Sequence, residues 1–198
     1  VVVLTVSTLT YQFFYPVSAG RPPRCTVIVV VSGLQVKTLE EYSFPVLDEL
    51  ESSGVYLKGS SGQFGGDTRS TYVFPELVTA TGYKTLENFG YALEKPWISM
   101  PIPREIEEIF DVFSRHKYTV GVFANAWSAS VINPEEHHID VTQFERELTG
   151  KLKTDVNYRL RDERLVNATC NFIKQHRYQN FVAFVVLSQV NSIAKVPG

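Results

Sequence analysis

Few residues are suited to chemistry, and they are scattered. Glu135-Glu136-His137-His138 sets two carboxylates beside two imidazoles, a donor set that suits a divalent metal. The surrounding Asn133-Pro134 and Asp140 are polar, so the stretch reads first as a solvated loop. His116 and His176 fall at the predicted ends of helices, where a cation complements the dipole. Asp67 sits in a Gly- and Ser-rich stretch with no visible partner. Ser70 and Thr71 precede a predicted helix beginning near Pro75, and hydroxyls in such positions cap helices. Asn167-Ala168-Thr169 fits the N-glycosylation acceptor pattern. Cys25 and Cys170 read equally as a disulfide of an oxidising compartment or as two buried free thiols. Glu145 to Glu147 and Arg159 to Arg164 read as solvated helix faces, and Trp97 and Trp127 as core or rim.

The elements that would position these groups alternate in type. Thr26–Val31 (TVIVVV) is a short β-branched run, apolar on both faces, as in a central strand of a parallel sheet. Pro45–Ser53 has helical spacing at Val46, Leu47 and Leu50, with Pro45 suited to the first turn and Gly54 to the end. Val55–Leu57 is a candidate edge strand, Gly59–Arg69 a loop, and Pro75–Thr81 a short helix. Glu105–Arg115 is predicted helical, with Ile106, Ile109, Phe110 and Phe113 on one face. Tyr118–Phe123 is a strand, Val141–Leu148 a short helix, and Phe181–Leu187 a third central strand. Val156–Gln175 is a long helix with Leu160, Leu165, Val166, Cys170 and Ile173 as its inner face. The order strand, helix, helix, strand, helix, strand implies an α/β fold with parallel pairing and crossover helices. Ligands of such sheets bind outside the carboxyl ends of the strands. Those ends are Ser32-Gly33, Ala124-Asn125 and Ser188–Lys195, together with the Gly-rich loop.

Charge and composition narrow the classes. The chain has 198 residues, with 19 Lys and Arg against 21 Asp and Glu, a formal charge of −2. That balance lacks the basic excess of a nucleic-acid module, so no nucleic-acid partner is expected. With 44% hydrophobic and 20% charged residues, the chain can build a core and is not globally disordered. Val1–Val17 is apolar and uncharged, which suits the outer end of a membrane anchor, the tail of a signal peptide, or a buried strand. Residues 1–24 are therefore assigned to an anchor or signal remnant with its linker, and 25–198 to the folded domain. With the glycosylation triplet, this favours the secretory pathway: the ER lumen or the extracellular side, with or without a membrane anchor.

At the strand ends the chain resembles the alkaline phosphatase superfamily, and within it the type I phosphodiesterase branch. That branch holds nucleotide pyrophosphatases and the ethanolamine phosphate transferases of GPI-anchor synthesis. Four segments carry the resemblance: Thr26–Leu34, Phe44–Val55, Ser70–Gly82 and Val186–Pro197. They are similar to the family's strand before Asp-Gly-Leu-Arg, its Pro-x-Leu-x-x-Leu-x-x-x-Gly segment, its nucleophile segment, and its strand before Gly-x-Asp-x-x-Gly-His. The apolar lead looks most like the type 1 GPI transferase, in which a membrane segment precedes a lumenal domain. The resemblance implies a largely parallel sheet with helices on both faces, of which this chain is the N-terminal part.

The same resemblance implies a pair of zinc-type ions that activate a Ser or Thr hydroxyl for transient phosphorylation. The nucleophile position falls on Ser70 by the spacing of the GPI transferases and on Tyr72 by that of the nucleotide pyrophosphatases, with Thr71 between them. Metal ligands are implied at three positions, as Asp, Asp and His. This chain has Ser32, Asn191 and Lys195 there. A neutral hydroxyl, an amide and an ammonium replace two carboxylates and an imidazole, so no metal cofactor is expected. The expected function is that of a degenerate, non-catalytic member that works by binding, as a structural subunit, or with a protein partner or membrane-embedded domain. The alternative is an active transferase or phosphodiesterase using zinc or another divalent metal on a phospholipid or GPI-type substrate.

Overall fold

The structure, a computed structural model, describes residues 2–7, 24–31, 34, 36–54, 78, 102, 105–125, 132, 137–145, 152 and 154–187. In chain order its elements are β1 (Val2–Ser7), β2 (Cys25–Val31), α1 (Val36–Glu41), α2 (Pro45–Ser53), α3 (Ile109–Arg115), β3 (Thr119–Asn125), β4 (Val141–Glu145), α4 (Asp155–His176) and β5 (Phe181–Leu187). The strands form one sheet in the order β1-β2-β5-β3-β4. β2, β5, β3 and β4 are mutually parallel, and β1 pairs antiparallel with β2. The mixed α/β class expected from the element order is what the chain adopts. Of the three readings left open for the apolar start, pairing as a strand is what is described for Val2–Ser7. No helix among the described residues is long and apolar enough to cross a membrane.

The central strands carry apolar side chains on both faces, and their alternation builds two cores. Ile28, Val30, Val120, Val122, Ala124, Val182, Phe184 and Val186 join Phe110 of α3 on one face. Phe123, Phe181, Ala183 and Val185 join Leu165 and Phe172 of α4 on the other. β5 is buried along nearly its whole length, because it lies between β2 and β3 with a helical layer on each face. Phe172 is the hub of the α4 core, with its ring centroid 5.6 Å from those of Phe123 and Phe181. The close approach depends on Gly121. A β-carbon there would lie 2.9 Å from the Phe172 ring.

Several expectations are corrected. Val141–Leu148 was expected to be helical, but Val141–Glu145 is a strand paired in parallel with Gly121–Asn125. β-branched Val141 and Thr142 and aromatic Phe144 suit a pleated edge, and the open side of β3 supplies hydrogen bonds that a short helix would have to make internally. The helix predicted from Glu105 begins at Ile109 instead. The Asp111 carboxylate accepts the backbone N–H of Glu108 at 3.0 Å, which closes the first turn there. Ile106, outside the helix, still packs against the core. The inner face of α4 is also different. Leu165 is buried and Ile173 packs against the core, but Leu160, Val166 and Cys170 are exposed. Tyr158, Arg161, Asp162, Thr169 and Phe172 turn inward with Leu165. Arg161, Asp162 and Thr169 share that stripe with the apolar residues, so hydrophobic periodicity alone misplaced part of it. The candidate strand 55–57 and most of the helix 75–81 lie outside the described residues. Val78, which is helical, is fully buried.

The turn from α3 into β3 sets the height of β3 against its helix. Lys117 takes φ 63°. Its N–H donates to the Ser114 carbonyl at 2.8 Å, and the Tyr118 N–H donates to the Phe113 carbonyl at 3.1 Å. These are the two bonds of a Schellman motif, and the accompanying apolar contact is the Phe113–Tyr118 ring pair, 5.3 Å apart.

Candidate functional site

The edge at which the strands end is the place to build the site. β2 and β5 are neighbours in register up to Val31 opposite Leu187. The chain therefore leaves both strands at the same edge, entering Ser32 from one and Ser188 from the other. β3 and β4, parallel to them, end at that edge with Asn125 and Glu145. Ser32, Ser70, Thr71, Tyr72, Asn191 and Lys195 lie outside the described residues, as does the Gly-rich loop. Among the described residues, no three His, Cys, Asp or Glu side chains are grouped to hold a metal.

The described part of this edge is ionic. Glu145, at the end of β4, accepts Arg164 Nε at 2.9 Å and Nη2 at 2.7 Å through one carboxylate oxygen. The Arg164 bond holds the Glu145 carboxyl below its usual range, against the opposing push of burial. Arg161, one turn back on α4, is buried, with its guanidinium 5.0 Å from the Tyr158 ring centroid and 4.0 Å from Asp162. The expectation that this helix segment is a solvated face fails for Arg161 and Asp162 and holds for Arg159, Glu163 and Arg164.

Asn167 is exposed on the outer side of α4, beside a shallow groove shared with Arg159, Asp162, Glu163 and Val166. Thr169 of the same triplet is buried, and its hydroxyl donates to the Leu165 carbonyl at 2.8 Å. Both cysteines are free thiols. Cys25 is half-buried with its Sγ 3.9 Å from the Gln179 carbonyl, and Cys170 is exposed, so they are not the buried pair of one sequence reading.

The largest departure from expectation is His137. Expected in a solvated loop, it is buried, with its side chain 1% exposed. Its Nδ1 lies 2.8 Å from Asp111 Oδ2, and its Nε2 faces the Ile102 carbonyl at 3.4 Å. Asp111 thus takes three hydrogen bonds: from the Glu108 N–H, the His137 ring, and the His138 N–H at 3.3 Å. Partial burial pushes its carboxyl up, but these bonds outweigh that and hold it below its usual range. Glu108 stands beside the pair, with Oε2 3.9 Å from His137 Nδ1. Its side chain is fully buried, and beyond the capping-box approach of the Asp111 N–H its carboxylate oxygens meet no donor. Burial first, and the Asp111 charge second, push its carboxyl up to about 9, so it holds its proton at neutral pH. Two sequence signals could have found this cluster, though the helix was expected to start at Glu105. Glu108 and Asp111 have the i, i+3 spacing of a helix start, and His137 lies between apolar Ile132 and Ile139.

Compared with known protein families, curated proteins and solved structures, the chain matches none.

Proposed function

We propose that the chain is a catalytically degenerate relative of the alkaline phosphatase superfamily, of the phosphodiesterase and phosphoethanolamine transferase group. In this reading it acts by binding or as a structural subunit in the secretory pathway. The observation that carries the proposal is the replacement of all three implied ligands, by Ser32, Asn191 and Lys195. The pairing of β2 with β5 supports it, since the segments holding those positions then follow neighbouring strand ends. At such a place a lysine ammonium repels a dication. Without a metal, the hydroxyls of Ser70 and Thr71 keep pKa values far above neutral and are poor nucleophiles.

The test is metal analysis of the purified full chain together with hydrolysis of a nitrophenyl phosphodiester. The expected result is no bound zinc after exposure to zinc and dialysis, and no turnover above buffer. Stoichiometric zinc, with turnover lost in Ser70→Ala or Thr71→Ala, would replace this reading with that of an active metal-dependent transferase.

A further inference from the structure

We infer that Glu108, Asp111 and His137 form a clasp that tightens in acid and holds the segment leading into β4 against α3. Its parts come from three places in the chain. Glu108 and Asp111 flank the start of α3, His137 arrives from the segment before β4, and the Ile102 carbonyl closes the far side of the imidazole. The Asp111 carboxylate at Nδ1 and the Ile102 carbonyl at Nε2 hold the imidazole from both sides. Among the described residues, the titratable groups facing Glu108 are Asp111 from its own helix and His137 from the opposing segment. β3 and β5 present only apolar side chains to this layer, Val120, Val122, Val182 and Phe184 among them. Three residues on from His137, Asp140 accepts the Val120 N–H through its carboxylate at 2.7 Å, and its own N–H donates to the Val120 carbonyl at 3.0 Å. What holds His137 therefore also holds the entry of edge strand β4.

The coupling to pH follows from where the proton goes. In the closed clasp the Glu108 carboxyl is dry and next to a carboxylate, so it stays protonated. When the segment lifts, water reaches the carboxyl, its O–H bond ionises, and the proton passes to solvent. Each opening thus releases one proton from Glu108, and opening becomes about tenfold less frequent for each unit of acidification between about pH 5 and 8. Asp111 does not oppose this in the same window, because its carboxyl is held low and is already ionised.

Native-state hydrogen exchange of the His138 and Val120 amides, corrected for intrinsic rates, reads the opening directly. The wild-type chain is expected to lose about tenfold in protection per pH unit as pH rises from 5 to 8, and Glu108→Gln to show no such slope. His137→Gln is expected to lower protection at every pH while keeping the slope. A flat wild-type profile, or an unchanged slope in Glu108→Gln, overturns the inference. Infrared difference spectra of the unaltered chain give a second reading. The C=O band of a protonated carboxylic acid should be present at pH 7 and bleach as pH passes 9, and its absence at pH 7 overturns the inference as well.

Discussion

The two faces of the sheet bury charge in opposite ways. On the α4 face each inward or half-inward charge has an opposite charge beside it: Arg161 with Asp162, and Glu145 with Arg164. The Arg164 bond keeps the Glu145 carboxyl below its usual range, and the Phe123–Phe172–Phe181 cluster supplies the apolar bulk of that core. On the α3 face a carboxyl is buried beside a carboxylate, and Glu108 escapes the repulsion by holding its proton. The comparison teaches that burial pushes a core carboxyl toward its neutral form, and that the charge beside it adds to that push or offsets it. With the His176 imidazole against Phe172 set aside, the α4 face should be indifferent to pH near neutrality and the α3 face should not.

Removing the Phe172 ring tests the first half of that statement with the largest expected effect. Phe172→Ala should cost about 3–5 kcal/mol in urea denaturation, by lost burial and the cavity left among Phe123 and Phe181. In a His176→Gln background, which removes the imidazole 4.6 Å from the Phe172 ring, the loss should be the same at pH 5 and pH 8. A loss that varies with pH would mean that the α4 face also carries a titrating group.

Replacing Glu108 tests the second half. Its carboxyl is at about 9 in the folded chain against an ordinary value of 4.5, so the folded state binds the extra proton. Stability from this group is therefore complete below about pH 4.5 and falls as pH rises toward 9, by about 1.4 kcal/mol per unit. At pH 7 the accumulated penalty is about 3 kcal/mol. Glu108→Gln, neutral at every pH, should be more stable than wild type by about that amount at pH 7 and equal to it near pH 4. A variant less stable at pH 7 would show that the carboxyl makes bonds an amide cannot replace.

Two smaller changes probe how each helix meets the sheet. Gly121→Ala pushes a methyl into the Phe172 ring and should cost about 1–3 kcal/mol. A fall in thermal midpoint should report it, and Gly121→Ala placed in Phe172→Ala should cost much less, because the ring is gone. Lys117→Gly relieves a side chain held at positive φ and should gain up to about 1 kcal/mol. No gain in urea midpoint would show that the Phe113–Tyr118 contact, and not the backbone, sets that turn.

The three central strands were legible because Thr26–Val31, Tyr118–Phe123 and Phe181–Leu187 are apolar runs bounded by polar residues and turns. The helix Pro45–Ser53 was legible to the residue from its proline and glycine. β4 was not, because Val141–Glu145 is too short for its alternation to outweigh helical spacing, and its pairing depends on β3, distant in space until the sheet forms. The inner face of α4 was misplaced because Arg161, Asp162 and Thr169 are buried, which apolar periodicity does not reveal. The clasp was not legible. The helix was expected from Glu105, which hid the capping spacing of Glu108 and Asp111, and nothing local brings His137 to them.

The position of β5 has a consequence for how the molecule is made. It is the last described strand in the chain, yet it lies in the middle of the sheet, between β2 and β3. During synthesis β2 and β3 emerge first, with no partner between them, and their apolar faces wait on a pairing that spans most of the chain. Such long-range closure is slow, and the waiting strand edges invite intermolecular pairing. The chain should therefore depend on chaperones up to the moment Phe181–Leu187 becomes available. A version cut before Phe181 should aggregate and not simply fold less stably.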